Sequence, residues 1–139
     1  MKKWTKEQLE AEGYEIWNAE IKNVSLSMED HACLVSYLSL DGHGPCCCYG
    51  GYVLGKGYVG AKNFKGYASG IEAIMRIMDT VGCSTYEGMK GKYVRVATKG
   101  WGSTVKIIGN ILEDKWFDYG SFFDDMEKDT YDDKGTEVD

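Results

Sequence analysis

Ser69-Gly70-Ile71-Glu72-Ala73-Ile74-Met75-Arg76-Ile77-Met78-Asp79-Thr80-Val81-Gly82 is the stretch on which the fold class turns. Its first four residues have the spacing of a capping box. Ile71, Ile74, Met75, Met78 and Val81 then recur at i, i+3, i+4, i+7 and i+10, which paints one helix face apolar. The spacing predicts a single amphipathic helix, stopped by Gly82, whose apolar stripe covers one face of a sheet.

Upstream, residues 5–12 read as a short helix capped by Thr5 and stopped at Gly13. Alternation follows. Trp17, Ala19 and Ile21 share one parity and Val24, Leu26 and Met28 the other, so a bulge is expected at Lys22-Asn23. Glu29-Asp30-His31 is a polar turn. Residues 33–40 return as a strand with Leu34, Leu38 and Leu40 on one face. Asp41-Gly42-His43-Gly44-Pro45 breaks it before a third strand at 46–54. Residues 55–66, rich in glycine and lysine, read as a loop. Downstream, Ser84-Thr85-Tyr86-Glu87 is a turn with another box-like spacing. Residues 93–98 form a strand with Val94 and Val96 on one side and Arg95 on the other. Residues 99–103 form a hairpin loop and 104–112 its partner strand. Trp116-Phe117 is a hydrophobic plug at the end of the sheet, and residues 121–127 add an acidic helical turn. The expected fold is α+β: a small antiparallel sheet of about five strands packed against one main helix, with a short N-terminal helix.

At 139 residues the chain is long enough for one domain. Hydrophobic residues are 43 % and charged residues 27 %, close to a soluble globular average. No apolar run approaches the roughly 20 residues a membrane helix needs, and the start, Met1-Lys2-Lys3-Trp4, lacks a signal peptide's apolar stretch. The formal charge of −6 is unevenly placed: residues 124–139 hold eight acidic residues and two lysines, so the other 123 carry 14 of each sign. A folded domain over 1–123 and an acidic, disordered tail over 124–139 are expected. A neutral body argues against general nucleic-acid binding.

Cys33, Cys46, Cys47, Cys48 and Cys83 are odd in number and three are adjacent, which suits reduced cytosolic thiols rather than a disulfide framework. His31 and His43 are isolated, so no metal set has ligand spacing. Gly50, Gly51, Gly55, Gly57 and Gly60 could let backbone N–H groups approach an anion. They match neither a Walker loop nor, for want of a strand-to-helix turn, a dinucleotide fingerprint. Asp30-His31 and Asp41/His43 lie in turns, where local hydrogen bonding is the commoner role. No nucleophile with a base stands out, and a non-enzyme is expected. Ten Tyr, four Trp and four Phe stand against two arginines, Arg76 and Arg95. Arginine's planar fork grips phosphate, and Trp101, between glycines, is a ring with little to pack on. Together they would suit a purine and a phosphate.

Several motifs occur in order: Asp30-His31 with Leu34, Gly50-Gly51-Tyr52 with Leu54, Arg76-Ile77 with Val81-Gly82, Gly91-Lys92-Tyr93-Val94-Arg95-Val96, Ile108-Gly109-Asn110 and Asp114-Lys115-Trp116-Phe117. Over residues 16–117 this series resembles the phage anti-Thoeris sponge family of the first type. The resemblance implies a non-catalytic protein of the infected bacterial cytoplasm, without cofactor, that sequesters cyclic ADP-ribose isomers and in some members cyclic oligonucleotides. It also implies a homo-oligomer with ligand sites between subunits. On the matched motifs and the physical argument, Arg76, Arg95 and Lys115 would take phosphate, Tyr49 and Trp101 would stack, and Gly50 and Gly51 would allow close approach. Cys46-Cys47-Cys48 departs from the glycine and small polar residues expected before Tyr49. Two other classes are open: a protein-directed inhibitor of a host defence nuclease, of the anti-CRISPR kind, and an accessory single-stranded-DNA-binding phage protein.

Overall fold

The computed structural model of the chain describes residues 1–42, 48–99 and 105–128. A short helix α1 (Lys6–Ala11) is followed by strands β1 (Glu15–Asp30), β2 (Cys33–Gly42), β3 (Cys48–Lys56) and β4 (Lys65–Gly66). Helix α2 (Ala68–Val81) and a 3-10 turn (Glu87–Met89) precede β5 (Tyr93–Thr98), β6 (Ile107–Asn110), β7 (Trp116–Asp118) and helix α3 (Tyr119–Lys128). The strands form one antiparallel sheet in the order β4-β3-β2-β1-β5-β6-β7.

The expected α+β arrangement of about five strands on one main helix is corrected by this sheet. The protein is mostly β, a seven-stranded curled half-barrel with three small helices. β1 is 16 residues long and serves two neighbours: residues 15–20 pair with β5, and residues 19–30 pair with β2. The bulge expected at Lys22-Asn23 is present as a register shift between Ile21 and Asn23. β4 has two residues and β7 three, too few for alternation to declare itself. α2 does not lie as a layer on the sheet. It touches β3 near one end of the strand order and β6 and β7 at the other, spanning the opening of the curl. There Tyr49 makes a parallel bridge with Val105, and its Oη donates to the Phe117 carbonyl.

α2 also buries a different face from the one its stripe suggests. Its buried residues are Ser69, Gly70, Ala73, Ile77, Thr80 and Val81, while Ile71 and Met75 are 65 % and 64 % exposed. The cause is close approach. A Cβ on Gly70 would fall 2.8 Å from Leu54 Cα, so the small residues Gly70 and Ala73 meet the sheet and their larger neighbours rotate away. Tyr67 occupies the N-cap without a side-chain hydrogen bond, so the expected box at Ser69 does not form. The box at Thr5 does form, with Gln8. Gly82 ends α2 in the left-handed region at φ +85°.

The interior is closed by α3, which runs past residue 123 to Lys128. Tyr49, Tyr52, Phe117, Tyr119, Phe122 and Phe123 form one cluster, with Tyr52 stacked on Tyr119 at 4.5 Å and on Phe123 at 5.0 Å between centroids. Phe117 is buried and Trp116 nearly so, as the plug reading expects. Trp4 packs on the second, smaller core, and its Nε1 donates to Asp118 Oδ2 at 3.0 Å.

Candidate functional site

The residues expected to bind ligand are placed in separate parts of the molecule. Tyr49 is 1 % exposed, and burial beside Tyr119 pushes its hydroxyl well above the usual range. Gly50 and Gly51 follow it at φ +124° and +95°, with Gly50 against the Ser36 carbonyl and Gly51 under the Tyr37 ring. Arg76 pairs with Glu72 at 2.7 Å and lies 5.6 Å from the Phe122 ring centroid. Arg95 donates from Nε to the Asn110 carbonyl at 2.8 Å and from Nη2 to the Glu113 carbonyl at 2.6 Å, with its guanidinium over Trp116. Lys115 pairs with Asp79 at 2.8 Å. Trp101 lies outside the described residues, as do His43, Cys46 and Cys47. Arg95 and Lys115 belong to one neighbourhood, the β6–β7 turn, while Tyr49, Gly50 and Gly51 belong to β3.

A cleft of about 470 Å³ opens elsewhere, where the β1–β2 turn meets the end of β3, the following loop and β4. The turn is a two-residue connection between the paired residues Asp30 and Cys33. Its central residues, His31 and Ala32, both have positive φ, 53° and 59°. That is the twist-matched geometry of a type I′ hairpin, which favours Asn-Gly because a Cβ is strained there. Both residues face the cleft. The Ala32 carbonyl accepts from Gly57 N at 2.8 Å, which ties the turn to the loop.

The loop itself is shaped by a turn. Ala61 N donates to the Tyr58 carbonyl at 2.9 Å, and Gly60, third in that turn, has φ +95°, which only glycine adopts without strain. Tyr58 and Phe64 are thereby set on either side of the turn, 55 % and 53 % exposed, and both line the cleft. Phe64 lies where a side chain on Gly57 would be. The opposite wall is cationic. Cys33 pairs with Lys56 and Lys56 with Lys65, so these three stand in a row across β2, β3 and β4. Asn63 and Ala61 complete the lining.

Rings that present a free face and ammonium groups within one cavity can hold a planar heterocycle together with an anion. The glycines and lysines of this loop are visible in the sequence, where they predict a loop alone. The further signal is the placement of Tyr58 and Phe64 three residues either side of Ala61. A second cleft, of about 390 Å³ between Tyr14, Lys99, Lys106 and Asp118, has a carboxylate in its wall. Asp118 Oδ1 there accepts from Ser121 N at 3.0 Å and caps α3. Among the described residues no three His, Cys, Asp or Glu side chains converge as a metal set, and no helix is long and apolar enough to cross a membrane.

Comparison with protein-family models, with curated proteins and with solved structures gave no match.

Proposed function

We propose that this protein is a non-catalytic sponge: it binds and sequesters a cyclic nucleotide signal, of the cyclic ADP-ribose type, and so blocks a bacterial anti-phage defence. The class of function comes from the motif series over residues 16–117. The observation that carries the binding reading is the cleft, where the half-exposed rings of Tyr58 and Phe64 share one cavity with Lys56, Lys65 and His31. A base stacks on an exposed aromatic ring, and a phosphate pairs with ammonium groups. In this reading the ligand site lies on β2, β3, β4 and the loop 57–64, apart from Arg76, Arg95 and Lys115. Homo-oligomerisation and action in the cytoplasm of an infected cell belong to the same reading.

A depletion-and-release experiment tests it. The protein is mixed with individual cyclic ADP-ribose isomers and cyclic oligonucleotides, free ligand is measured, and the protein is then heat-denatured and the supernatant measured again. Depletion followed by intact recovery is expected, and it is lost in Tyr58→Ala/Phe64→Ala. Depletion with a new product would make the protein an enzyme. No depletion of any compound would remove the sponge reading.

A further inference from the structure

The fold uses only part of the apolar stripe on α2. Ala68, Ile71, Met75 and Met78, with Gly82 at the C-cap, follow one another at spacings of three, four, three and four. These are the a and d positions of successive heptads. Met78 is half-buried and the other four are exposed, Ile71 and Met75 by about two thirds. Burial falls instead on Gly70, Ala73 and Ile77, which lie on another side of the helix, so the row faces outward. Its rim carries little net charge. Glu72 pairs with Arg76 at 2.7 Å and Asp79 with Lys115 at 2.8 Å, so each flanking carboxylate is neutralised within its own chain. An apolar row inside a polar rim is the anatomy of an association surface. Leu112, 89 % exposed, adds a large side chain near the Gly82 end. Its N–H donates to the Asn110 side chain at 2.9 Å, and that side chain lies 3.4 Å from where a Cβ on Gly82 would be. Finally, α2 has no acidic residue in its first turn and no basic residue in its last. Neither end of its dipole is matched by a charged side chain of the helix.

We infer that this face docks a second copy of the chain, the two α2 helices packing antiparallel about a two-fold axis. The inference deepens the homo-oligomerisation in the reading given above and rests on it to that extent; the surface and its geometry are argued from α2. In antiparallel helices the a row of one meets the d row of the other. In the register that sets Met75 against the partner's Met78, Ile71 faces the partner's Gly82. Ala68 then meets the end of the partner helix where the partner's Leu112 stands. Large side chains are thus set against small ones, as close packing requires. A parallel pair would set Gly82 against the partner's Gly82 and leave a gap. The antiparallel pair also lays each helix N-terminus beside a C-terminus, so each dipole supplies the charge that the other helix lacks. A lipid surface or a nucleic acid would call for a basic rim, whereas the two cations here are matched by two carboxylates.

Sedimentation velocity on the full chain, from about 1 µM to about 1 mM, tests this. The wild type is expected to pass from monomer to dimer across that range. Met75→Glu and Met78→Lys, each alone, should stay monomeric. Met75→Glu should also keep the wild-type circular dichroism, because the monomer leaves Met75 exposed. Mixed in equal amounts, the two variants should dimerise again, since the register places position 75 of one copy against position 78 of the other. A wild type that is monomeric throughout overturns the inference, as does a folded Met75→Glu that dimerises like the wild type. A mixture that stays monomeric while the wild type dimerises overturns the antiparallel register. Ligand depletion by the same proteins separates the two ideas. A wild-type dimer that depletes no isomer would keep the pairing and remove the sponge. Depletion by a wild type that is monomeric would keep the sponge and remove the pairing.

Discussion

Asn110 Nδ2 donates to the Thr80 carbonyl at 3.0 Å, so a side chain from the end of β6 closes the last turn of α2. The same residue's Oδ1 accepts from Leu112 N and Glu113 N, each at 2.9 Å. One amide thus holds the β6–β7 turn in shape and fastens it to a helix end that lacks a basic residue. Nδ2 also reaches the Val81 carbonyl at 3.5 Å, so replacing Asn110 with alanine leaves four backbone groups without that partner. Asn110→Ala is expected to cost about 2–3 kcal/mol in urea unfolding, at roughly 1 kcal/mol for each hydrogen bond. Asn110→Asp keeps the acceptor but sets a negative charge against the negative end of α2. It should therefore lose more stability above the carboxylate range than below it. Wild-type stability in both variants would show that the clamp is idle.

Tyr119 is fully buried, and its hydroxyl has no hydrogen-bond partner among the described residues. Desolvation, with Tyr86 and Tyr52 nearby, raises its pKa far above the ordinary value of 10.0, so it is neutral throughout the stable range. Tyr119→Phe removes an unsatisfied polar atom and keeps the ring stacked on Tyr52, so thermal unfolding should report a gain of about 1 kcal/mol. Tyr49→Phe is the contrast, because the Tyr49 hydroxyl donates to the Phe117 carbonyl across the opening of the curl, and it should destabilise. A loss of stability in Tyr119→Phe would mean that a buried water partners that hydroxyl.

How far the sequence could be read depends on element length. β5, whose limits agree with the sequence reading, declares itself through Val94 and Val96 in alternation, and the shift of parity at Lys22-Asn23 locates the bulge in β1. Lys65-Gly66 and Trp116-Phe117-Asp118 are strands only because neighbours pair with them, and no local pattern distinguishes them from loop. In α2 the pattern is strong and still misorients the helix, because contact is decided by how closely Gly70 lets the backbone approach Leu54. The candidate site follows the same rule. Its lysines, glycines and rings are visible in the sequence, but the meeting of Lys56 with Lys65 is a matter of register. That register is set between β3 and β4, across a loop that turns at Gly60. In the sequence nothing local announces that Tyr49 is core and that Arg95 donates to carbonyls.

The β1–β2 turn carries strain that can be relieved. His31 and Ala32 both sit in the left-handed region, where an ordinary residue costs roughly 1–2 kcal/mol. His31→Asn/Ala32→Gly supplies the residues that a type I′ turn favours. Part of the relief is offset by the larger unfolded-state entropy of glycine, so a net gain of about 1 kcal/mol is expected in chemical unfolding. His31 lines the cleft, and the same variant should bind the ligand more weakly. Stronger folding with weaker binding would mark the turn as strained for the sake of the site. Unchanged binding would remove His31 from it.

Asp114 links three segments. Its carboxylate accepts from Trp116 Nε1 at 2.6 Å and from Lys6 N at 2.8 Å. The Trp116 bond first and the Lys6 bond second hold its pKa below the ordinary value of 3.8. A carboxyl with a depressed folded-state pKa contributes stability that is fully present above its unfolded value and is lost as pH falls through the folded one. The contribution is small because the side chain is exposed. Unfolding curves should show a wild-type loss that begins below about pH 4, and Asp114→Asn should flatten that part of the profile without altering the slope near neutrality. Coincident acid profiles would show that the linkage carries no energy.

Arg95 separates the two possible locations of the ligand site. Its Nε and Nη2 donate to the Asn110 and Glu113 carbonyls, and its guanidinium lies 4.7 Å from the Trp116 ring centroid. Arg95→Ala gives up two charge-assisted hydrogen bonds and a cation–π contact, and a loss of about 2–3 kcal/mol is expected. Arg95→Lys keeps the charge but not the fork and should recover only a fraction of that. Both proteins remain useful for binding measurements well below their unfolding temperature. The cleft is formed on β2, β3 and β4, and β1 stands between those strands and β5, so ligand depletion per folded molecule should match the wild type. If folded Arg95→Ala fails to deplete a ligand that the wild type removes, the guanidinium must leave its carbonyls to meet phosphate. The site would then lie on the β6–β7 side of the molecule, and the cleft beside Lys56 and Lys65 would have no part in binding.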